Sequence, residues 1–164
     1  MQPIRLLGRH GGVIDVRADE ATEDVYRRLR PGLLRLANLL TGSEATAEDV
    51  VQDAFMGYQR NAAHVDNPDG YLRTSVVNLS RTAHRRTARE RRHRPDVVTV
   101  THIPEYDETW AVLRRLPYRH RAALVLRFYA DMSEADIAAA LGCRPGTVKS
   151  LVHRGLARVK EALA

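Results

Sequence analysis

The sequence has a single cysteine, Cys143, so no disulfide can form within the chain. Aromatic residues make up only 5% of it and long β-branched runs are scarce, which argues against a core built from sheets. No stretch has the length and apolarity of a membrane span, and residues 1–19 lack the apolar centre of a secretion signal. The expected setting is cytoplasmic, without membrane insertion, where a lone thiol is ordinary. Catalytic signatures are missing too. There is no His-Glu-x-x-His run, no paired cysteine ligands and no Gly-x-Ser-x-Gly elbow, and the seven histidines are scattered. Gly8, Gly11 and Gly12 are not followed by the Lys-Ser/Thr pair of a phosphate loop. Glu48 and Asp49 are adjacent, so they diverge on a helix and make a poor acid–base pair. No enzymatic activity, cofactor or metal site is expected.

Lysine is almost absent as well: Lys149 and Lys160 are the only two, so nearly all of the 26 basic residues are arginine. Against 20 acidic residues this leaves a net charge of +6. Arginine binds phosphate bidentately and stacks on bases, so the excess suits a polyanionic partner such as nucleic acid. Apolar residues at 44% and charged residues at 28% describe a globular chain, and its periodicity is helical.

From Glu23 onward Val25, Leu29, Leu33, Leu36 and Leu40 recur at helical spacing, with Pro31 kinking or splitting the element. Thr41-Gly42-Ser43 ends it, and Thr46 with Asp49 three residues on reads as the next cap. The helix that follows has the apolar stripe Val51, Phe55 and Tyr58, with Glu48, Asp49, Gln52 and Asp53 beside it. After turn-rich residues 61–69, Asn67 caps a helix that opens on Pro68. On that helix Leu72, Val76, Leu79 and Ala83 fall on one side, and Thr74, Asn78, Arg81, Arg85, Arg89 and Arg92 on the other. One face is core and the other a cationic ribbon. Residues 93–106, holding Pro95 and Pro104, break the helical period and form either a linker or a short strand at Val97 to Thr101.

The sharpest pattern lies between Ser133 and Arg158. Ser133 is placed to cap a first helix, Ala138 lets a second helix approach, and Gly142 supplies the left-handed turn. Val148 and Ile137 fill the wedge of a helix-turn-helix. Val148, Val152, Leu156, Val159 and Leu163 form the expected inward face of the last helix. That leaves Arg144, Pro145, Thr147, Lys149, Ser150, His153 and Arg154 toward a major groove. The expected fold is therefore all-α, with two small helical domains, a four-helix one followed by a helix-turn-helix one, joined by a flexible linker. Residues 1–19 are a tail, 20–92 the first domain, 93–106 the linker and 107–164 the helix-turn-helix domain.

The stretches Leu116 to Phe128, Ser133 to Ala138 and Gly146 to Ser150 resemble region four of the extracytoplasmic-function RNA polymerase sigma factors. Ala47 to Phe55 resembles region 2.2, and Asp69 to Leu72 with Asn78-Leu79 resembles regions 2.3 and 2.4, so the likeness runs from about Glu20 to Ala164. The resemblance implies a non-enzymatic subunit that binds core RNA polymerase and directs it to promoter DNA, with an anti-sigma factor as a further partner. Glu48, Asp49, Gln52, Asp53 and Phe55 then dock on the polymerase, an acidic cluster that is otherwise unusual on a basic protein. Phe55 taken alone reads first as core. His64, Asp66 and Asn67 form a loop receiving a flipped base of the minus-10 element, with Asn78, Arg81 and Arg85 holding the neighbouring strand. As an isolated residue, His64 reads equally as an exposed loop histidine. The last helix reads the minus-35 element. In the family the linker passes near the RNA exit path. Two positions depart from the pattern: Leu151 stands where arginine or glutamine is usual, and Tyr71 where tryptophan is common.

Two other readings compete. A stand-alone helix-turn-helix regulator would bind duplex as a homodimer without polymerase and carry a sensor pocket in its first half. A polymerase-independent RNA-binding protein would tolerate loss of the recognition face.

Overall fold

The computed structural model describes residues 5–7, 13–93 and 108–164 of the chain. Its body is all-α. α1 (Val16–Thr41), α2 (Glu44–Asn61) and α3 (Pro68–His93) pack against one another, three α-helices in place of the expected four, with a 3-10 turn, Ala62–His64, between the last two. α4 (Glu108–Arg115), α5 (Tyr118–Leu124), α6 (Glu134–Leu141) and α7 (Pro145–Leu163) make the second group. The expected linker, 93–106, lies outside the described residues apart from its first.

The expected tail is partly structured. Strands β1 (Arg5–Leu7) and β2 (Val13–Asp15) pair antiparallel, with Leu6 opposite Ile14, and α1 starts directly after β2. The helix thus begins at Val16, ahead of the expected boundary, because Arg17 to Ala21 are helix-compatible residues without glycine or proline. Pro31 does not split it. Pro31 and Gly32 are exposed, and Leu33, Leu36 and Leu40 hold the following turns in the core.

Helix ends follow local chemistry. The cap of α2 is Ser43 rather than Thr46: Ser43 Oγ accepts the Thr46 backbone N–H at 3.3 Å, with Glu44 in the first turn. Asn67 Oδ1 accepts from Gly70 N–H at 3.0 Å ahead of Pro68, as expected. Pro117 sits at the cap itself, one position before the helix, and its carbonyl accepts from His120 and Arg121. Ser133 Oγ accepts from Asp136 N–H at 3.1 Å, and Gly142 ends α6 at φ 61°.

The apolar core is one contiguous cluster that runs through both helical groups, from Leu36, Leu40, Val51 and Leu72 to Leu126, Ile137 and Val148. Burying each such side chain contributes about 1.5–3 kcal/mol before entropy is counted. Between α5 and α6 the chain makes a π-helical turn, Val125–Tyr129, which the apolar pattern does not announce. It leaves Phe128 64% exposed while Val125 and Leu126 are buried.

The inward face of α7 differs from the expected one. Leu156 and Leu163 are exposed, whereas Val148, Leu151 and Gly155 are buried, with Val152 and Val159 at the margin. The cause is close contact with α5: a Cβ on Gly155 would stand 3.0 Å from Leu124 Cδ1. Gly155→Val should therefore overpack this seam and lower stability by about 1–3 kcal/mol in urea unfolding. An unchanged midpoint would show that the two helices can separate freely there.

Candidate nucleic-acid interface

α7 presents its first turns to solvent. Arg144 precedes the helix in extended conformation, Pro145 takes the first helical position, and Arg144, Lys149, Ser150, His153 and Arg154 are exposed, with Thr147 half-buried. Val148, fully buried against Ile137 and the rest of the core, fixes the rotation of this face. Lys149 lies 3.9 Å from Glu134, both partly exposed, so the pair holds the ammonium only loosely. Ser150 Oγ donates back to Gly146 O at 3.3 Å. Behind the face, burial pushes the pKa of His120 down, and the charges of Arg158 and Arg154 add to the shift. Leu151 is buried, so the departure noted in the sequence is a packing residue here.

α3 carries three strips rather than two. Asn78 and Arg85 are exposed on the expected ribbon, as is Thr74; the side chain of Arg92 is outside the described residues. Between that ribbon and the core strip lies a further one, Arg73, Val77, Ser80 and His84, with Arg81 on its border. Val77 and Ser80 are buried. This strip meets the second helical group. Arg73 Nη1 donates to Ala130 O at 3.0 Å, Arg81 Nη1 to Ala140 O at 2.7 Å, and His84 stacks on Tyr118 with centroids 4.0 Å apart. Arg81 is thus separated in role from its exposed neighbours Asn78 and Arg85. In the loop ahead of α3, His64 and Asp66 are exposed, while the Asn67 side chain is engaged as the helix cap.

α2 divides its polar residues between two clefts. Glu48, Gln52 and Phe55, with Tyr26, Arg30, Met56 and others, line a groove of about 770 Å³ against α1. Asp49 and Asp53 line a smaller cleft of about 240 Å³ against α3, together with Arg86 and with Gln52, which borders both. Phe55 is buried, as its core reading suggested, yet its ring lies 4.7 Å from that of exposed Tyr26, so the two join core to groove. Glu48 pairs with Arg30 at 2.8 Å. Tyr26, Arg30 and Met56 escaped sequence reasoning; the helical spacing of Gln52, Phe55 and Met56 was the available signal. Tyr71 packs half-buried, 6.1 Å from the Tyr58 ring. Among the described residues no cluster of three or more metal-ligating side chains exists, and no helix is long and apolar enough to cross a membrane.

Residues 25–90 match the sigma-70 region 2 family and residues 106–159 the sigma-70 region 4 family. The chain is 31% identical to the RNA polymerase sigma-E factor of Streptomyces avermitilis, over 94% of its own length and 88% of the relative's. This chain belongs to the extracytoplasmic-function sigma factors. The sigma factor is 33% identical to the sigma factor SigM of Mycobacterium tuberculosis over 87% of its length and 77% of SigM. Among solved structures it is similar to the sigma factor RpoE of Bartonella quintana, crystallised with the anti-sigma factor NepR. The TM-score is 0.71 at 27% identity, covering 88% of this chain and 97% of that one. It is accordingly a transcription initiation factor without enzymatic activity of its own, one that binds core RNA polymerase and directs promoter recognition.

Proposed function

We propose that the two matched regions act as separate modules: 20–92 binds core polymerase and opens the minus-10 element, and 107–164 reads the minus-35 element. The observation that carries this is the cationic exposed face at the start of α7, from Arg144 to Arg154, set on a helix whose opposite side is locked by Val148 and Leu151. A rigid helix with short and basic outward residues matches the width of a major groove. In the first module Asn78 and Arg85 hold the displaced strand, Arg81 joins them, and His64 and Asp66 face the extruded base, with Asn67 fixing the loop. Glu48, Asp49, Gln52, Asp53 and Phe55 make the polymerase contact, the groove beside α1 taking an apolar side chain of the partner. The protein works in the cytoplasm. It is held by an anti-sigma factor when idle, a reading supported by the complex in which the Bartonella relative was crystallised.

The test is initiation by reconstituted holoenzyme on a promoter library randomised across the minus-35 element. Arg144→Ala, Lys149→Ala, His153→Ala and Arg154→Ala are assayed singly. A base-reading side chain should cost about 1–3 kcal/mol and relax preference at one base pair, whereas a phosphate contact should weaken all promoters alike. Wild-type strength and preference in all four variants would refute the assignment of α7.

A further inference from the structure

The cationic side of α7 does not stop at Arg154. At about 100° per residue, Arg158 falls one turn, about 6 Å, beyond Arg154 and on the same edge of the exposed face, next to the buried strip of Leu151 and Gly155. That edge borders α5. Leu124 packs on Gly155, so His120, one turn earlier on the same side of α5, is set against the part of α7 that carries Arg158. The charges of Arg158 and Arg154 both act on its ring. Arg119, beside it in sequence, is exposed, as are Arg154 and Arg158, and none of the three makes an ion pair among the described residues. Arginines four residues apart on a helix repel, and here no carboxylate is paired to either. The His120 ring is half-buried, and its Nδ1 is enclosed without a hydrogen-bond partner. The ring's other nitrogen is therefore the one that can meet a ligand.

We propose that Arg158 and His120, with Arg119 at the rim, hold a backbone phosphate of the duplex where it leaves the groove read by residues 144–154. The site rests on the proposed placement of α7 in the major groove and adds to it a contact that carries no base sequence. A groove about 12 Å wide is walled on both sides by phosphates, so a side chain on the edge of the helix, one turn past its reading residues, meets the wall rather than the base pairs. An anion there relieves the repulsion of the cluster, and a guanidinium can take two phosphate oxygens at once. A proton follows the anion. Burial first, then Arg158 and Arg154, hold the His120 pKa below its ordinary value, so the ring is mostly neutral at about pH 7 in the free chain. Arg158 and Arg154 face it from α7, and Arg119 and Arg121 flank it on α5, with no carboxylate among them. A phosphate at the ring raises that pKa, so binding takes up a proton and strengthens as pH falls from the bound toward the free pKa.

The experiment uses reconstituted holoenzyme on a promoter duplex, with affinity measured against salt for wild type, Arg158→Ala, Arg158→Lys, His120→Gln, Lys149→Ala and Arg154→Ala. Arg158→Ala should weaken binding about five- to tenfold near about 0.1 M salt and lower the slope of log affinity against log salt by about 0.9, the share of one phosphate, without changing base preference. Arg158→Lys keeps the charge and should restore the slope. Neutral methylphosphonates placed singly along the upstream element then locate the contact: positions at its edge should weaken the wild type and leave Arg158→Ala unaffected. His120→Gln, compared in a His153→Gln background so that the exposed histidine does not contribute, should lose the gain in affinity between about pH 8 and pH 6, up to about tenfold per unit. An unchanged slope in Arg158→Ala, or equal sensitivity of that variant and the wild type at every phosphate, overturns the site. The same pH dependence in His120→Gln overturns the part given to His120. If Lys149→Ala and Arg154→Ala still weaken binding in that event, the placement of α7 in the groove stands without the extension; if they too have no effect, the fault lies in that placement.

Discussion

Asp49→Lys together with Asp53→Lys is expected to abolish co-purification of the sigma factor with core RNA polymerase while leaving its helical content intact. Both side chains are exposed and neither makes an ion pair among the described residues, so folding does not depend on them. They stand on a helix whose other side, Val50, Val51, Ala54 and Phe55, is buried, so the change is confined to the surface. If that surface meets a basic helix of the polymerase, each reversal replaces an attraction by a like-charge clash. Clashes of this kind cost several kcal/mol across an interface, so affinity should fall by at least about a hundredfold. Asp49→Asn/Asp53→Asn should fall in between and lose most of its salt dependence. Unchanged co-purification by the double lysine variant would remove α2 from the polymerase contact and leave the groove against α1 without a partner.

Arg121→Ala should lower the stability of the folded chain by about 2–4 kcal/mol, the largest effect expected of a single substitution. Arg121 is buried, and its guanidinium donates to Leu40 O and Arg114 O and lies 5.7 Å from the Tyr118 ring. Burial pulls its pKa down, the neighbouring Tyr118 opposing this and Arg114 adding to it. The same burial pushes the Tyr118 hydroxyl up. No carboxylate neutralises this charge among the described residues; carbonyl dipoles do, as buried cations require. Alanine would strand the Leu40 carbonyl and leave a cavity, whereas Arg121→Met keeps the volume and should cost about half as much. Urea unfolding followed by fluorescence of Trp110, the one tryptophan and itself buried, reports the loss. Equal midpoints for wild type and the alanine variant would show that the carbonyls are satisfied without the guanidinium.

Much of this architecture was legible in residue spacing, and the failures on α3 and α7 share a cause. The helix-turn-helix was readable because Ser133, Ala138, Gly142 and Val148 each answer a local need, a cap, a close approach, a left-handed turn and a wedge. The helices of the first group were readable from their apolar period. A helix with two packing partners, however, has two buried strips, and periodicity identifies only the more apolar one. On α3 the strip of Arg73, Val77, Ser80 and His84 looked polar, so its burial by the second group was invisible. On α7 the leucines at 156 and 163 outweighed Gly155, although the glycine marks where the neighbouring helix comes closest. The cap of α2 was misplaced for a simpler reason: Ser43 and Thr46 are both competent, and the earlier one captures the N–H of the later.

Leu151 turned inward has a consequence for selectivity across a genome. On the proposed reading of α7, an outward side chain at this position would add a contact near the middle of the recognition helix. Its burial confines reading to the residues before it and to one edge after it. Every base pair left unread multiplies the sites that match by chance about fourfold, and a chromosome offers about 10⁶ or more competitors. A short upstream signature must then be supplemented by what the melted strand supplies, so promoters of this factor should be separated from decoys by two weak signals at a fixed spacing.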